Sequence, residues 1–208
     1  MKWIENGYST HEFMCDNEKK NIFLIGDSIR RGYCETVKNE LARNANVFYV
    51  NDNCRSTQFV IFSMKGWAGK FNDPTLVDIV YFNCGHWDVA HWSGDEESLT
   101  SEGEYERNIK MIIRMLRKFF PNAKLIFSTT SPMNPSGRVD TNPRTNEEID
   151  RYNSISTAVA KSEGLDIHDL NAFMKDFGSE CFVDSVHLTP KSFETLGKEV
   201  SRFLNAYI

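Results

Sequence analysis

Short apolar runs alternate along the chain with longer stretches whose apolar positions repeat at helical spacing. Ile22–Ile25, Val47–Val50, Val77–Phe82, Lys124–Ser128 and Leu165–Ile167 are flanked by polar or turn-forming residues. Each has the length of a strand buried on both faces. Between them, Tyr105, Ile109, Ile112, Ile113, Leu116 and Phe120 share one face of a helix expected from about Glu102 to Phe120, where Pro121 stops it. Ile149, Tyr152, Ile155 and Val159 mark another helix. Phe193, Leu196, Val200, Phe203 and Leu204 mark a C-terminal one opened by Thr189 and Pro190. A helix after Ser28 carrying Val37 and Leu41, and a segment around Phe59 to Trp67, complete the alternation.

This order predicts an α/β fold: a three-layer α/β/α sandwich on a doubly wound, mostly parallel five-stranded sheet, since right-handed crossovers place helices on both faces. At 208 residues the chain is expected to form one domain over 1–208, with residues 1–20 as an N-terminal extension. The loops richest in turn residues are Ser131–Asn146 and Gly85–Gly103. Loops leaving the carboxyl ends of strands are where such sheets hold ligands.

Charge and composition narrow the partners. The net charge is −5 and the lysines and arginines are scattered, so no footprint for nucleic acid is present. The first twenty residues are polar and acidic, unlike a signal peptide, and no stretch is apolar enough to span a bilayer. The expectation is a cytoplasmic protein without a membrane partner, its oligomeric state undetermined. Five cysteines, at 15, 34, 54, 84 and 181, form no C-x-x-C pair and are expected to be reduced and mostly buried. Of the histidines at 11, 86, 91, 168 and 187 only His86 and His91 are close in sequence, so no metal site is expected.

Two short motifs carry the candidate chemistry. Gly26-Asp27-Ser28-Ile29 follows the first strand directly, so its serine hydroxyl belongs at the carboxyl edge of the sheet beside a helix amino terminus, where backbone N–H groups can receive an oxyanion. The plainer reading is a turn in which Asp27 or Ser28 caps the helix. Near the other end, Asp184-Ser185-Val186-His187 sets a carboxylate three residues before an imidazole. It can hold Nδ1 and leave Nε2 free to take a proton from a serine. Alone, that motif reads equally as a surface turn.

With both motifs present, the sequence resembles the GDSL or SGNH hydrolase family, from Ile22 to the final helix. The resemblance implies a flavodoxin-like sheet and a Ser28, His187 and Asp184 triad that hydrolyses esters without a cofactor. The family usually supplies further oxyanion donors from a glycine after the second strand and a G-x-N motif after the third. Here the second segment, Asn51 to Ser56, has no glycine. In the third, Asn83-Cys84-Gly85-His86-Trp87-Asp88, Gly85 aligns and Trp87 stands where asparagine is expected. Asn83 is then a candidate amide donor or a satisfied strand-end residue, and Arg55 a charged alternative or a solvated loop residue. Ser128 to Pro132 resembles a T-T-x-P stretch of these hydrolases and implies a loop at the site rim. His86, Trp87, His91 and Trp92 crowd one loop whose aromatic faces could cover a sugar or merely pack it down. Asp95, Glu96 and Glu97 read as a solvated acidic loop.

The expected substrate is a small-molecule or carbohydrate ester, O-acetyl groups first. A lipase-like or thioester hydrolase and a sugar acyltransferase are the enzymatic rivals. A binding module on the same scaffold is the non-enzymatic one, since fold alone does not give function.

Overall fold

Every residue from Ile22 to Ile25 is fully buried, because the strand they form has partners on both edges and helices on both faces. A computed structural model describes residues 12–134, 136 and 141–208. Its strands are β1 (Lys20–Ile25), β2 (Ala45–Tyr49), β3 (Ile79–Phe82), β4 (Lys124–Ser128) and β5 (Asp166–His168). They lie in the order β2-β1-β3-β4-β5 and every pairing is parallel. Ile22 sits opposite Val47 on one side and Ile79 on the other.

The helices are α1 (Ser28–Leu41), α2 (Thr57–Ala68), α3 (Glu102–Phe119), α4 (Asn146–Ser162), the short α5 (Leu170–Phe173) and α6 (Pro190–Leu204). Contacts pair α1 with α6, and join α2 to α3 and α3 to α4. Two helices thus cover one face and three the other, the doubly wound sandwich the sequence pattern predicts. Among the described residues no helix is long and apolar enough to cross a membrane.

The strand ends differ from the sequence expectation for local reasons. Val77 closes a 3-10 turn by donating to Pro74, so β3 starts at Ile79. Gly164 adopts φ 72 and Leu165 donates back to Ala160, so Leu165 belongs to the turn that closes α4, and β5 begins at Asp166. The short α5 had no periodicity to announce it; its carboxylate cap, Asp169, accepts from Ala172 N–H. Of the stretch expected as an N-terminal extension, residues 1–11 lie outside the described residues. The rest is no loose arm. Phe13 is buried, exchanges backbone hydrogen bonds with Lys70 and Asn72, and packs its ring 4.9 Å from Phe71.

Strand order reverses between β1 and β3, and the crevice beyond their carboxyl ends is where this topology opens a ligand site. On the α1 and α6 side, Gly197 lets the two helices approach closely. A Cβ there would lie 2.5 Å from Thr36 Cβ and 3.2 Å from the Tyr33 carbonyl oxygen. Gly197→Ala is therefore expected to destabilise the protein by about 1–3 kcal/mol even though alanine favours helix. Urea unfolding of the two proteins checks this, and a more stable variant would show that helix propensity outweighs the contact.

Candidate active site

β1 ends at Ile25 and the chain turns at Gly26, where a Cβ would lie 2.7 Å from Arg30 Cβ and 3.2 Å from Asn83 Oδ1. Only glycine lets the turn sit this low. Asp27 follows as N-cap of α1, its Oδ1 accepting from Ile29 N–H at 2.9 Å. Ser28 is thereby the first residue of the helix, at the positive end of its dipole.

The imidazole of His187 reaches Ser28 from a loop before α6. Phe182 and Leu188 bridge antiparallel, Val183 donates to the His187 carbonyl at 2.8 Å, and Asn134 ties the loop through the Asp184 and Ser185 carbonyls at 3.0 Å each. Within the loop, Asp184 Oδ1 accepts from Val186 N–H (2.8 Å) and His187 N–H (2.6 Å). Its Oδ2 stands 2.8 Å from His187 Nδ1, and His187 Nε2 stands 2.8 Å from Ser28 Oγ. Partial burial pushes the Asp184 carboxyl up, but the N–H groups of His187 and Val186 and the His187 ring outweigh it, so its pKa lies below the usual range. An ionised carboxylate on Nδ1 fixes that nitrogen as donor and leaves Nε2 to accept the serine proton.

These groups open on a cavity of about 220 Å³. Ser28, His187 and Val186 form one wall. Asn53, on the loop after β2, forms a second. Trp87 and Trp92 form a third, stacked at 4.9 Å with 28° between rings. Asn142 and Arg144 close the rim, and the two loops carrying these last residues are fastened together. Ser93 N–H donates to Asn142 Oδ1 and His91 N–H to the Pro143 carbonyl, both at 2.9 Å, and Arg144 Nη1 donates to the His86 carbonyl. His91 Nε2 lies 2.9 Å from Glu148, which raises the histidine's pKa.

His86 also lines the cavity, with Nε2 2.9 Å from Ser131 Oγ and with Nδ1 buried and unpartnered among the described residues. Burial, reinforced by the charge of Arg144, holds its pKa well below the usual histidine value, so the ring is neutral. The Ser128 to Pro132 stretch thus meets the site through Ser131.

Of the residues named from sequence, Ser28, Asp184 and His187 come together and Trp87 lines the same cavity. Asn83 follows β3 directly, buried beside Gly26. Three others have different positions. Gly85 is there for steric reasons, since a Cβ would lie 2.0 Å from Thr130 Oγ1. Asp27 is buried as a cap, and its second oxygen, Oδ2, has no partner; burial raises its pKa against the pull of Ile29 N–H and nearby positive charges. Arg55 is exposed and lies over the Phe59 ring at 4.5 Å, outside the cavity lining, because φ 48 turns the chain there. That left-handed conformation is the kind glycine ordinarily supplies, so the loop keeps the turn without the residue.

The profile of the GDSL-like Lipase/Acylhydrolase family matches residues 24–193. The chain belongs to that family. Among GDSL relatives, the GDSL esterase/lipase WDL1 of Oryza sativa subsp. japonica is 31% identical over 63% of this chain, and the chain spans 54% of that relative's length. The GDSL esterase/lipase At5g62930 of Arabidopsis thaliana is 23% identical over 88% of the chain and 85% of its own. The fold matches that of the acetyl xylan esterase AlAXEase with TM-score 0.71 at 18% identity, covering 88% of this chain and 99% of the other.

Asp88 supports the site from beneath and was not singled out by sequence. Fully buried, it accepts Thr57 N–H at 3.1 Å and the Thr57 hydroxyl at 2.6 Å, joining the start of α2 to the Trp87 loop. Burial raises its carboxyl from 3.8 to about 6. The folded state therefore holds this proton more tightly than the unfolded chain, and the stability Asp88 contributes is greatest below about pH 4 and is lost as pH rises through about 6. Urea unfolding between pH 4 and 7 is expected to show up to about 3 kcal/mol of this dependence, which Asp88→Asn removes.

Proposed function

We propose that this chain is a serine esterase that removes short acyl groups, O-acetyl groups on carbohydrate first among them, through an acyl-enzyme on Ser28. The observation that carries the reading is the run of two 2.8 Å contacts from Ser28 Oγ through His187 to Asp184. Ser28 Oγ attacks the ester carbonyl while its proton passes to His187 Nε2. Asp184 stays ionised and steadies the imidazolium. Ser28 N–H, at the amino end of α1, and the Asn83 amide receive the negative charge on the carbonyl oxygen. His187 then gives its proton to the leaving alcohol. Water, deprotonated by the same ring, releases the acid and restores Ser28.

Cavity size favours a short acyl group, since about 220 Å³ falls below the range of drug-sized pockets. The lining favours a sugar behind it. Trp92 is 41% exposed and backed by Trp87, offering an apolar face. The fold neighbour AlAXEase, an acetyl xylan esterase, agrees with this choice.

A fluorophosphonate probe is expected to label the wild type and not Ser28→Ala; equal labelling of both removes the assignment. Ser28→Ala or His187→Ala should lower kcat by roughly 10⁶-fold and Asp184→Asn by roughly 10⁴-fold. Across a panel of acyl lengths, acetyl esters should turn over best, and a maximum at about eight carbons would favour a lipase-like pocket instead. Trp92→Ala should raise KM for an acetylated oligosaccharide and leave p-nitrophenyl acetate hydrolysis unchanged.

A further inference from the structure

Resting on that reading, we infer that Asn53 is a catalytic residue: its side-chain amide donates to the oxyanion that forms on the substrate carbonyl. The residue lines the cavity that also exposes Ser28 and His187. Its Oδ1 is already committed, accepting from Arg55 N–H at 2.9 Å in an Asx turn. That leaves Nδ2 as the unpartnered end of the amide among the described residues, and an amide nitrogen can only donate.

The loop carrying Asn53 is held at the nucleophile from two directions. Cys54 N–H donates to the Gly26 carbonyl at 3.2 Å, so the residue next to Asn53 is bonded to the turn that presents Ser28. From below, the buried guanidinium of Arg30, two residues after Ser28, donates to the carbonyl oxygens of Gly26 (3.3 Å), Val50 (3.0 Å) and Asp52. Arg55 reverses the chain at φ 48 immediately afterwards. A donor fixed in this way needs no reorganisation when charge develops, the condition under which oxyanion stabilisation is strong. Arg30 is a positioning residue in this arrangement, acting through the loop it holds.

Asn53→Ala and Asn53→Ser separate donation from turn formation, because serine can still accept from Arg55 N–H but is too short to reach where the amide does. With p-nitrophenyl acetate, both are expected to lose kcat by about a hundredfold while KM stays within about twofold, the signature of an interaction made only in the transition state. Fluorophosphonate labelling of Ser28 should slow in parallel, and thermal unfolding should be unchanged, since Asn53 lies on a half-exposed loop. Turnover within about threefold of wild type in either variant overturns the assignment, as does a rise in KM with kcat intact, which would make Asn53 a ground-state contact. Those failures leave wild-type labelling and turnover in place. A wild type that neither labels nor hydrolyses overturns the esterase reading, and this inference with it.

Discussion

Three backbone carbonyls, those of Gly26, Val50 and Asp52, converge on one guanidinium that is 1% exposed. Everything around the nucleophile depends on this contact. The Val50 oxygen would otherwise be left unpaired in a buried place, at a cost of about 1–3 kcal/mol, while the Gly26 oxygen also accepts from Cys54 N–H. Arg30 satisfies them with a side chain rooted in the same helix that begins at Ser28, so the serine turn and the neighbouring loop form one rigid piece. Because its hydrogen-bond partners among the described residues are carbonyls and the Cys54 sulfur, the guanidinium also leaves a positive charge beneath the turn. Its field is felt at Asp27, where it opposes the effect of burial.

Electrostatics on the other side of the serine are arranged by different means. Asp184 is half exposed yet held ionised by two backbone N–H groups and an imidazole, so the His187 loop is fixed by its own hydrogen bonds. His86, by contrast, is kept neutral by burial and by the charge of Arg144. Two histidines on one cavity thus have different surroundings, and only His187 has both a carboxylate and a hydroxyl on its ring nitrogens.

How much of this is legible in the sequence follows from the range of each interaction. Strands and the main helices are visible because burial on both faces, or on one, writes a local period. The serine turn and the D-x-x-H loop are visible because each is built within four residues. Asn53 and Arg144 are hidden, since their place depends on how separate loops meet, and an asparagine in a polar loop looks like any turn residue. Gly85 and Arg55 show what an alignment position does not convey: the first leaves room for Thr130, and the second bends the chain and lies over the Phe59 ring. Arg30 shows its importance only when its partners are drawn from twenty residues away.

The cavity divides into parts of unequal permanence. Its proton-handling side is rooted in β1, α1 and the loop before α6. The facing side belongs to two long connections fastened to each other through His91, Ser93, Asn142 and Arg144, and to α2 through Asp88. Residues there can be exchanged without disturbing the serine, so descendants of this chain could acquire new substrates by redrawing those connections while inheriting the reaction unchanged.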